Sequence, residues 1–280
     1  ASDVYKRQGQ ERIIHAALLG AGTVGSGVYK LVKDLEEEII SKTGARLVVD
    51  KILVRDTTKA REGIPSELLI DRWDEILNDP QIEIVIEVMG GIRPALTWLE
   101  EALRAGKQVV TANKDLLAEY GEQLFDAAEA GKCDLHFEAA VAGAIPIIRP
   151  LRQSLAASEL TEVMGIVNGT TNYILTRMTE DGMGYEEALA LATKLGYAES
   201  DPTADVEGYD AGRKVAIMAS IAFNSNVTFS QVYTEGITHI TAEDIRYAKE
   251  FGYVIKLIGM TRLTELSLIH ISEPTRLQLI

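Results

Sequence analysis

The sequence predicts an α/β protein of two domains, a doubly wound parallel sheet followed by an α+β domain with a mixed sheet. Three observations support this fold class. Short apolar runs of strand length alternate with helical patterns through the first half of the chain. The first such run leads directly into a glycine-rich turn. With 280 residues, the chain exceeds one average domain and can bury a sizeable core. We expect the first domain to span residues 12–148 and the second to span residues 149–262.

The glycine-rich turn follows a predicted first strand at residues 13–19 and precedes a helical pattern that continues through Leu31 to Leu35. In such a turn one glycine permits the tight bend, a second lets the backbone approach a pyrophosphate, and a third allows close packing of helix on strand. The helix N-terminus would face the phosphates. The flanking strand and helix favour a Rossmann-type dinucleotide site over a merely structural turn. The predicted cofactor contacts are Gly20, Gly22, Thr23, Val24 and Gly25.

The end of the second predicted strand, residues 47–54, bears on the choice between NADP and NAD. Arg55 and Asp56 follow this strand. An acid here would accept hydrogen bonds from the ribose 2′-OH of NAD, whereas a cation would pair with the 2′-phosphate of NADP. Arg55 therefore favours NADP and is a further predicted cofactor contact. Asp56 leaves NAD open, and a solvated charge at a strand end is the alternative for Arg55.

Further strand and helix patterns lead to a candidate lysine. Strands are predicted at residues 82–88 and 108–111, with a helix at 94–105 between them. Lys114 follows the second of these strands and precedes a helix predicted at 115–130. Ligands of doubly wound sheets bind outside the carboxyl ends of the strands, so Lys114 is well placed to contact substrate or cofactor. A surface lysine in a loop is the alternative.

An acidic segment, residues 196–214, sets five carboxylates around the start of a helix that carries a lysine. Asp205 is predicted to cap this helix, which continues to about Phe223. Asp210 and Lys214 then lie four residues apart on one helix face. A solvated surface ion pair is the simplest explanation. A divalent-metal site is another, although the lysine would compete with the ion.

The second domain also contains patterns for strands at residues 160–168 and 253–261 and for a helix at 185–195. The helix would turn Leu189, Ala192 and Leu195 toward the core. Together with the acidic segment, these elements predict a mixed sheet covered by helices.

Composition excludes several classes of function. The chain has 28 basic and 42 acidic residues and a net charge of −14, which disfavours binding to nucleic acid and to anionic membranes. The single Cys133 excludes a framework of intrachain disulfides, and the four histidines are too far apart in sequence to predict zinc. No apolar run reaches the roughly 18 residues of a membrane span, and no signal peptide is recognisable. We therefore expect a cytoplasmic protein.

Five motifs of this chain resemble those of homoserine dehydrogenase and occur in the same order as in that family. They are the glycine turn, the runs TANK at 111–114, FEAAVAG at 137–143 and GIVNGTTNY at 165–173, and the acidic segment. The resemblance covers residues 12–262. It implies reversible, NAD(P)-dependent reduction of L-aspartate 4-semialdehyde to L-homoserine, a step in threonine and methionine biosynthesis. It also implies a homodimer whose second domain supplies the dimer interface and carries the substrate site.

The resemblance implies roles for individual residues. Lys214 would donate the proton to the carbonyl oxygen, and Lys114 would assist by holding the developing alkoxide near the cofactor. Glu199 and Asp210 would bind the substrate ammonium group. Gly196 would contact the cofactor through its backbone.

A monovalent-cation site is implied as well. The residues that match the family's ligands, many of which are main-chain carbonyls, are Glu138, Val141, Gly143 and Ile145. Oxygen ligands suit a hard cation such as sodium. From composition alone, the same stretch is a strand that leaves the first domain and a loop into a helix at residues 145–155.

Both ends of the chain are expected to be foreign. Residues 1–10 and 266–280 resemble translated sequencing-adapter sequence, and ordinary termini with a last strand are the alternative. In the family, the chain continues past the strand at 253–261 to a glycine-rich segment that returns to the cofactor domain. We therefore expect a C-terminally truncated chain with exposed apolar surface, which would lower its stability and activity.

The sequence is also compatible with two other functions. One is another NAD(P)-dependent amino-acid semialdehyde oxidoreductase. The phosphorylating enzymes of that kind need a nucleophilic cysteine, and Cys133 is predicted to lie mid-strand with no histidine placed to activate it. The other is an inactive cofactor-binding fragment.

Overall fold

The computed structural model describes residues 12–264 and 268–278. They form two compact units. The first unit comprises residues up to 116 together with 120–137, and the second comprises 117–119 and the residues from 138 onward. Each unit has its own sheet, which confirms the predicted fold class. Within the described residues, no helix is both long enough and apolar enough to cross a membrane.

The first unit alternates strands and helices around a parallel sheet. Its elements are β1 (Arg12–Leu19), α1 (Thr23–Asp34), α2 (Glu36–Thr43), β2 (Ala45–Leu53), β3 (Leu69–Ile70), α3 (Asp74–Leu77), β4 (Ile82–Glu87), α4 (Ala95–Arg104), β5 (Gln108–Thr111), α5 (Lys114–Gly131) and β6 (Leu135–His136). The six strands lie in the order β3-β2-β1-β4-β5-β6, and all of them are parallel. The order reverses between β1 and β4, and sheets of this kind bind ligands at that point, outside the carboxyl ends of the strands.

The turn between β1 and α1 requires two of its glycines. Gly20 has φ +101°, a left-handed conformation that a side chain would strain. At Gly25 a Cβ atom would lie 2.1 Å from the carbonyl oxygen of Gly20, so only glycine lets α1 approach the end of β1 this closely. The predicted helical pattern agrees with the structure to within one residue, because α1 ends at Asp34 and Leu35 is its C-cap. Leu31 is exposed on this helix.

The second unit is built on a four-stranded mixed sheet. Its helices and strands are β7 (Glu162–Gly165), α6 (Gly169–Glu180), α7 (Tyr185–Lys194), α8 (Thr203–Val206), α9 (Tyr209–Ala222), β8 (Tyr233–Thr234), α10 (Ala242–Glu250), β9 (Tyr253–Leu263) and β10 (Leu268–Gln278). The strand order is β7-β9-β10-β8. The strand β9 is antiparallel to both of its neighbours, whereas β10 and β8 are parallel, which confirms the predicted mixed sheet.

The core of the second unit contains residues of α6, α7, α9, α10 and β9, among them Ile174 of α6 and Leu257 of β9. Helix α7 turns Ala188 and Ala192 inward. The prediction for Leu195 is wrong, because α7 ends at Lys194 and Leu195 at its C-cap is 56% exposed.

The single helix predicted from Asp205 to about Phe223 is also wrong. The structure has two helices there, α8 and α9, separated by Gly208 at φ +79°. A Cβ atom at Gly208 would lie 3.0 Å from the carbonyl oxygen of Glu235, so the close approach of another segment and the left-handed backbone both require glycine. Asp205 therefore lies within α8, and Gly208 occupies the N-cap of α9.

Three smaller predictions need correction. The strand predicted at 160–168 is short, because Asn168 leaves it and caps α6. The helix predicted at 145–155 is reduced to a π-helical turn at Pro150–Ser154, because the amides of residues 147–149 bond to the side chain of Glu138. Cys133 lies in the connection between α5 and β6 and not within a strand.

The boundary between the units follows Phe137, earlier than the predicted boundary after residue 148. The bonds from the Glu138 carboxylate to residues 147–149 explain the difference, because they join the whole segment to the second unit. At the C-terminal end, residues 268–278 form β10, which is the last strand given as an alternative. Residues 1–10, 266–267 and 279–280 lie outside the described residues, and the foreign origin of both ends stays a prediction.

The contact at Gly25 can be tested by adding one methyl group. We expect Gly25→Ala to destabilise the protein by about 1–3 kcal/mol, because the backbone of Gly20 has no room to accommodate it. Gly27→Ala is the matched control on the same helix, since nothing lies within 4 Å of a Cβ atom there. Alanine favours the helix over glycine by about 1 kcal/mol, so the control should be neutral or stabilising in urea unfolding. Equal stability of the two variants would contradict the packing described for Gly25.

Candidate functional site

The glycine turn of the first unit is shaped to receive an anion. Its residues Gly20, Gly22, Thr23, Val24 and Gly25 form one continuous segment at the carboxyl end of β1. Gly22 is the N-cap of α1 and provides no side-chain cap, and the first turn of the helix contains no acidic residue. The first backbone N–H groups of α1 therefore have no side-chain cap, and the helix dipole there favours a negative ligand.

Arg55 and Asp56 follow β2 at the same edge of the sheet, and the structure distinguishes their side chains. Oδ1 of Asp56 accepts hydrogen bonds from the hydroxyl group of Thr58 at 2.6 Å and from the amide of Thr58 at 2.9 Å. These bonds, the side-chain bond first, lower the pKa of Asp56. Arg55 is exposed. The acid is therefore engaged within its own loop, while the guanidinium group faces solvent.

Lys114 is the first residue of α5 and follows β5 at the carboxyl edge of the sheet. Its side chain is half-buried. The preceding Asn113 is buried and caps the helix, since its side chain accepts a hydrogen bond from the amide of Leu116. The first unit thus places the glycine turn, Arg55 and Lys114 at one edge of its sheet.

In the second unit, Asp210 and Lys214 form a buried ion pair on α9. The Nζ atom of Lys214 donates to Oδ2 of Asp210 at 2.6 Å and to the carbonyl oxygen of Val167 at 2.7 Å. The side chain of Lys214 is only 16% exposed, and that of Asp210 is only 8% exposed. The alternative of a solvated surface pair is therefore wrong. Among the described residues, no group of three or more His, Cys, Asp or Glu side chains is placed to hold a metal ion. The carboxylate of Asp210, which a divalent ion would need as a ligand, is instead bonded to the Lys214 ammonium group.

Asn168 organises this pair and was not among the predicted site residues. Its Nδ2 donates to Oδ1 of Asp205 at 2.7 Å and to Oδ2 of Asp210 at 2.8 Å. Its Oδ1 accepts from the amide and the hydroxyl group of Thr171 at 2.8 Å and 2.9 Å. The side-chain amide thus uses both of its N–H groups and both of its lone pairs. The run GIVNGTTNY contains this residue, and its position just before a helix is the signal that could have identified it as a cap.

Gly196 and Glu199 lie in the loop between α7 and α8. Gly196 has φ +79°, and Glu199 is exposed. Tyr197 holds the loop against α6, because its ring stacks on Tyr173 at 4.5 Å and its carbonyl oxygen accepts a hydrogen bond from Thr170. The loop with Glu199 is therefore fixed to the helix that Asn168 caps.

The segment predicted to bind a cation is held together by Glu138. Oε1 of Glu138 accepts from the amides of Ile147 and Ile148, and Oε2 accepts from the amide of Arg149, at 2.6–2.9 Å. Partial burial would raise the pKa of Glu138, but the three amide donors outweigh it and lower the pKa. Of the other candidates in this segment, Val141 is buried, Gly143 has φ +55°, and Ile145 is 69% exposed.

Cys133 does not have the properties of a nucleophile. Its Sγ atom donates to the carbonyl oxygen of Leu103 at 3.2 Å. Burial, with a smaller contribution from the negative charge of Asp134, raises the pKa of the thiol. A raised pKa disfavours the thiolate that a phosphorylating semialdehyde dehydrogenase would need.

Comparisons with known proteins agree along most of the chain. The family model described as "Homoserine dehydrogenase, NAD binding domain" matches residues 20–138, and the model described as "Homoserine dehydrogenase" matches residues 146–278. The chain belongs to the homoserine dehydrogenase family. Its first unit contains the NAD-binding domain of that family.

Individual relatives show the extent of the match. Homoserine dehydrogenase of Bacillus subtilis is 47% identical over 252 residues, which are 90% of this chain and 58% of that protein. The crystal structure of a homoserine dehydrogenase from Thiobacillus denitrificans has a TM-score of 0.90 and 43% identity, covering 95% of this chain and 62% of that one. A structure of S. aureus homoserine dehydrogenase has a TM-score of 0.84 and 42% identity, covering 95% of this chain and 67% of that one. The chain thus spans between 58% and 67% of the length of these relatives.

The lowered pKa of Glu138 predicts a dependence of stability on pH. A carboxyl group whose pKa is lower in the folded state stabilises the fold above its ordinary pKa, and this contribution is lost as the pH falls through the lowered value. We expect Glu138→Gln to lose about 1 kcal/mol of unfolding free energy at pH 7, and to differ less from the original protein at pH 3. Urea unfolding at both pH values measures this. Glu159→Gln is the control at an exposed acid. A difference from the original protein that is equal at both pH values would contradict the account.

Proposed function

We propose that this chain carries the catalytic portion of a homoserine dehydrogenase, which reversibly reduces L-aspartate 4-semialdehyde to L-homoserine with NADP or NAD. The observation that supports this most strongly is the buried pair of Lys214 and Asp210. A lysine held by a carboxylate and a carbonyl oxygen, away from bulk water, is suited to protonating a carbonyl group during its reduction. The names of the relatives and the NAD-binding domain of the first unit support the same reaction.

The residues present fit a dinucleotide cofactor, which would supply the hydride. The uncapped N-terminus of α1 offers backbone N–H groups to the pyrophosphate. The close approach of Gly25 to Gly20 fixes the turn that presents them. Gly22 has nothing within 4 Å of a Cβ position, so the backbone there is open to a ligand.

Lys214 is the proposed proton donor. An ammonium group has three N–H donors, and Asp210 and Val167 accept from it within the described residues. The third N–H is left for the carbonyl oxygen of the substrate. Lys114 would assist by stabilising the negative charge that develops on this oxygen.

Asp210 and Glu199 have different proposed roles in binding the substrate. Asp210 already accepts from Lys214 and Asn168, so its proposed main role is to hold Lys214 while adding negative charge to the site. Glu199 is exposed on a fixed loop and would accept hydrogen bonds from the substrate ammonium group. Gly196 on the same loop would contact the cofactor through its backbone.

The cation and the homodimer are parts of the same proposal. Sodium would be bound by Glu138 and the backbone of Val141, Gly143 and Ile145, with a structural role that fits the position of this segment at the start of the second unit. A homodimer would use the sheet of the second unit. The edge position of β7 and the exposed Met164 on it support an interface there.

NADP is the proposed cofactor, with NAD as the second choice. Arg55 is exposed at the strand end where a 2′-phosphate would lie, and Asp56 is engaged by Thr58. We expect Arg55→Ala to raise the dissociation constant of NADPH roughly tenfold, because one charge-assisted bond is lost, and to change that of NADH little. Titration of cofactor fluorescence measures both constants. Arg104→Ala, at an exposed arginine that ends α4, is the control. Equal losses for the two cofactors would contradict the assignment.

The role of Lys214 is tested by turnover. We expect Lys214→Ala to lower kcat for L-homoserine oxidation by about 100- to 10,000-fold, the range for removal of a general acid or base. Binding of NADPH should be unchanged, because its phosphates are assigned to the glycine turn. Absorbance of NADPH and NADH measures turnover, and Lys194→Ala at an exposed lysine is the control. Retained turnover in Lys214→Ala would exclude the proton-donor role. Absence of turnover in the unaltered chain, with cofactor still bound, would favour an inactive cofactor-binding fragment.

A further inference from the structure

A buried carboxylate lies at the carboxyl edge of the parallel sheet and has no role in the proposed reaction. Glu87 is the last residue of β4 and is completely buried. Its Oε1 accepts from the amides of Met89 at 2.8 Å and Gly90 at 3.0 Å, and its Oε2 accepts from the hydroxyl group of Thr111 at 2.5 Å. The carboxylate thus joins the loop after β4 to the end of β5.

The bonds continue toward Lys114. Oγ1 of Thr111 also accepts from the amide of Asn113 at 3.0 Å. The side chain of Asn113 donates to the carbonyl oxygen of Gly91 at 2.6 Å and accepts from the amide of Leu116 at 3.2 Å. The start of α5, where Lys114 lies, is therefore tied to the loop after β4 through both Thr111 and Asn113.

The same loop packs against the glycine turn. A Cβ atom at Gly20 would lie 3.0 Å from the side chain of Met89 and 3.2 Å from its Cα atom. The amide of Val88 donates to the carbonyl oxygen of Leu19 at 3.0 Å. Three loops at the carboxyl edge, after β1, β4 and β5, are thus connected around the Glu87 side chain.

We propose that Glu87 is a positioning residue for the hydride-transfer reaction, because it fixes the loop after β4 and the start of α5 relative to the glycine turn. This inference rests on the proposed function. A carboxylate in a protein interior is costly unless its oxygens are well bonded, and here two backbone amides and a hydroxyl group supply those bonds. Glu87 lies where doubly wound sheets bind their ligands. The loop that it bonds contacts the glycine turn, and the strand end that it bonds leads to Lys114.

The test compares a replacement that changes one oxygen of the carboxylate with a replacement that removes both hydrogen bonds of the Thr111 hydroxyl group. Glu87→Gln replaces one acceptor oxygen with a donor, and Thr111→Val removes the hydroxyl group at nearly constant volume. We expect both to raise the dissociation constant of NADPH roughly tenfold and to lower kcat/KM roughly 10- to 100-fold, because the groups that hold the cofactor are displaced. Thr111→Ser keeps the hydroxyl group and should restore values close to those of the original protein.

A structural control separates positioning from general loss of stability. Lys107 is buried at the opposite end of the same strands and donates to the carbonyl oxygens of Asp79 and Ile82 at 2.7 Å and 2.8 Å. Lys107→Met should lower the melting temperature and leave the dissociation constant of NADPH unchanged.

A double variant tests the connection between Glu87 and Lys114. Glu87→Gln should reduce kcat less in a Lys114→Ala background than it does alone, whereas the effects of the two substitutions on the melting temperature should add.

The outcomes distinguish the inference from the proposed function. Should the original chain bind neither NADPH nor NADH, both would be overturned. If the original chain binds the cofactor and Thr111→Val binds it equally well, or if Lys107→Met weakens binding as much as Glu87→Gln, only the positioning role of Glu87 is overturned. Thr111→Val decides the result if Glu87→Gln does not fold.

Discussion

The buried pair of Lys214 and Asp210 is the constraint on which the second unit depends. Either charge alone would cost several kcal/mol in the interior, and removing one partner of such a pair typically costs about 3–5 kcal/mol. The pair is tolerated because Val167 accepts a further hydrogen bond from Lys214 and Asn168 donates one to Asp210. The break at Gly208 separates α8 from α9, and the side chains of both Asp205 and Asp210 reach the Asn168 amide.

Two other carboxylates, Glu87 and Glu138, are also held by several hydrogen bonds, and each fixes a segment of irregular backbone. Glu87 is bonded by two backbone amides and a hydroxyl group at the carboxyl edge of the parallel sheet, and Glu138 is bonded by three amides at the start of the second unit. Each carboxylate collects donors that an apolar side chain would leave unsatisfied. Rigid loops of this kind suit a reaction that requires hydride and proton donors at fixed positions.

Local patterns in the sequence were sufficient for much of the fold. The glycine turn, the alternation of strands and helices, and the spacing of four between Asp210 and Lys214 all act over short distances along the chain, so they could be predicted. Asn168 and Glu87 could not be assigned their roles, because their partners Asp210 and Thr111 are 42 and 24 residues away. The helix break at Gly208 was missed for the same reason, since the close contact there is with Glu235.

A crystal structure with NADP and L-homoserine bound would test the central claim most directly, through the distance from the Lys214 Nζ atom to the hydroxyl oxygen of homoserine. Our account predicts a hydrogen bond of about 2.7–3.1 Å, with Asp210 still bonded to the same ammonium group. A separation beyond roughly 4 Å, with no water between the two atoms and another side chain bonded to that oxygen, would contradict it.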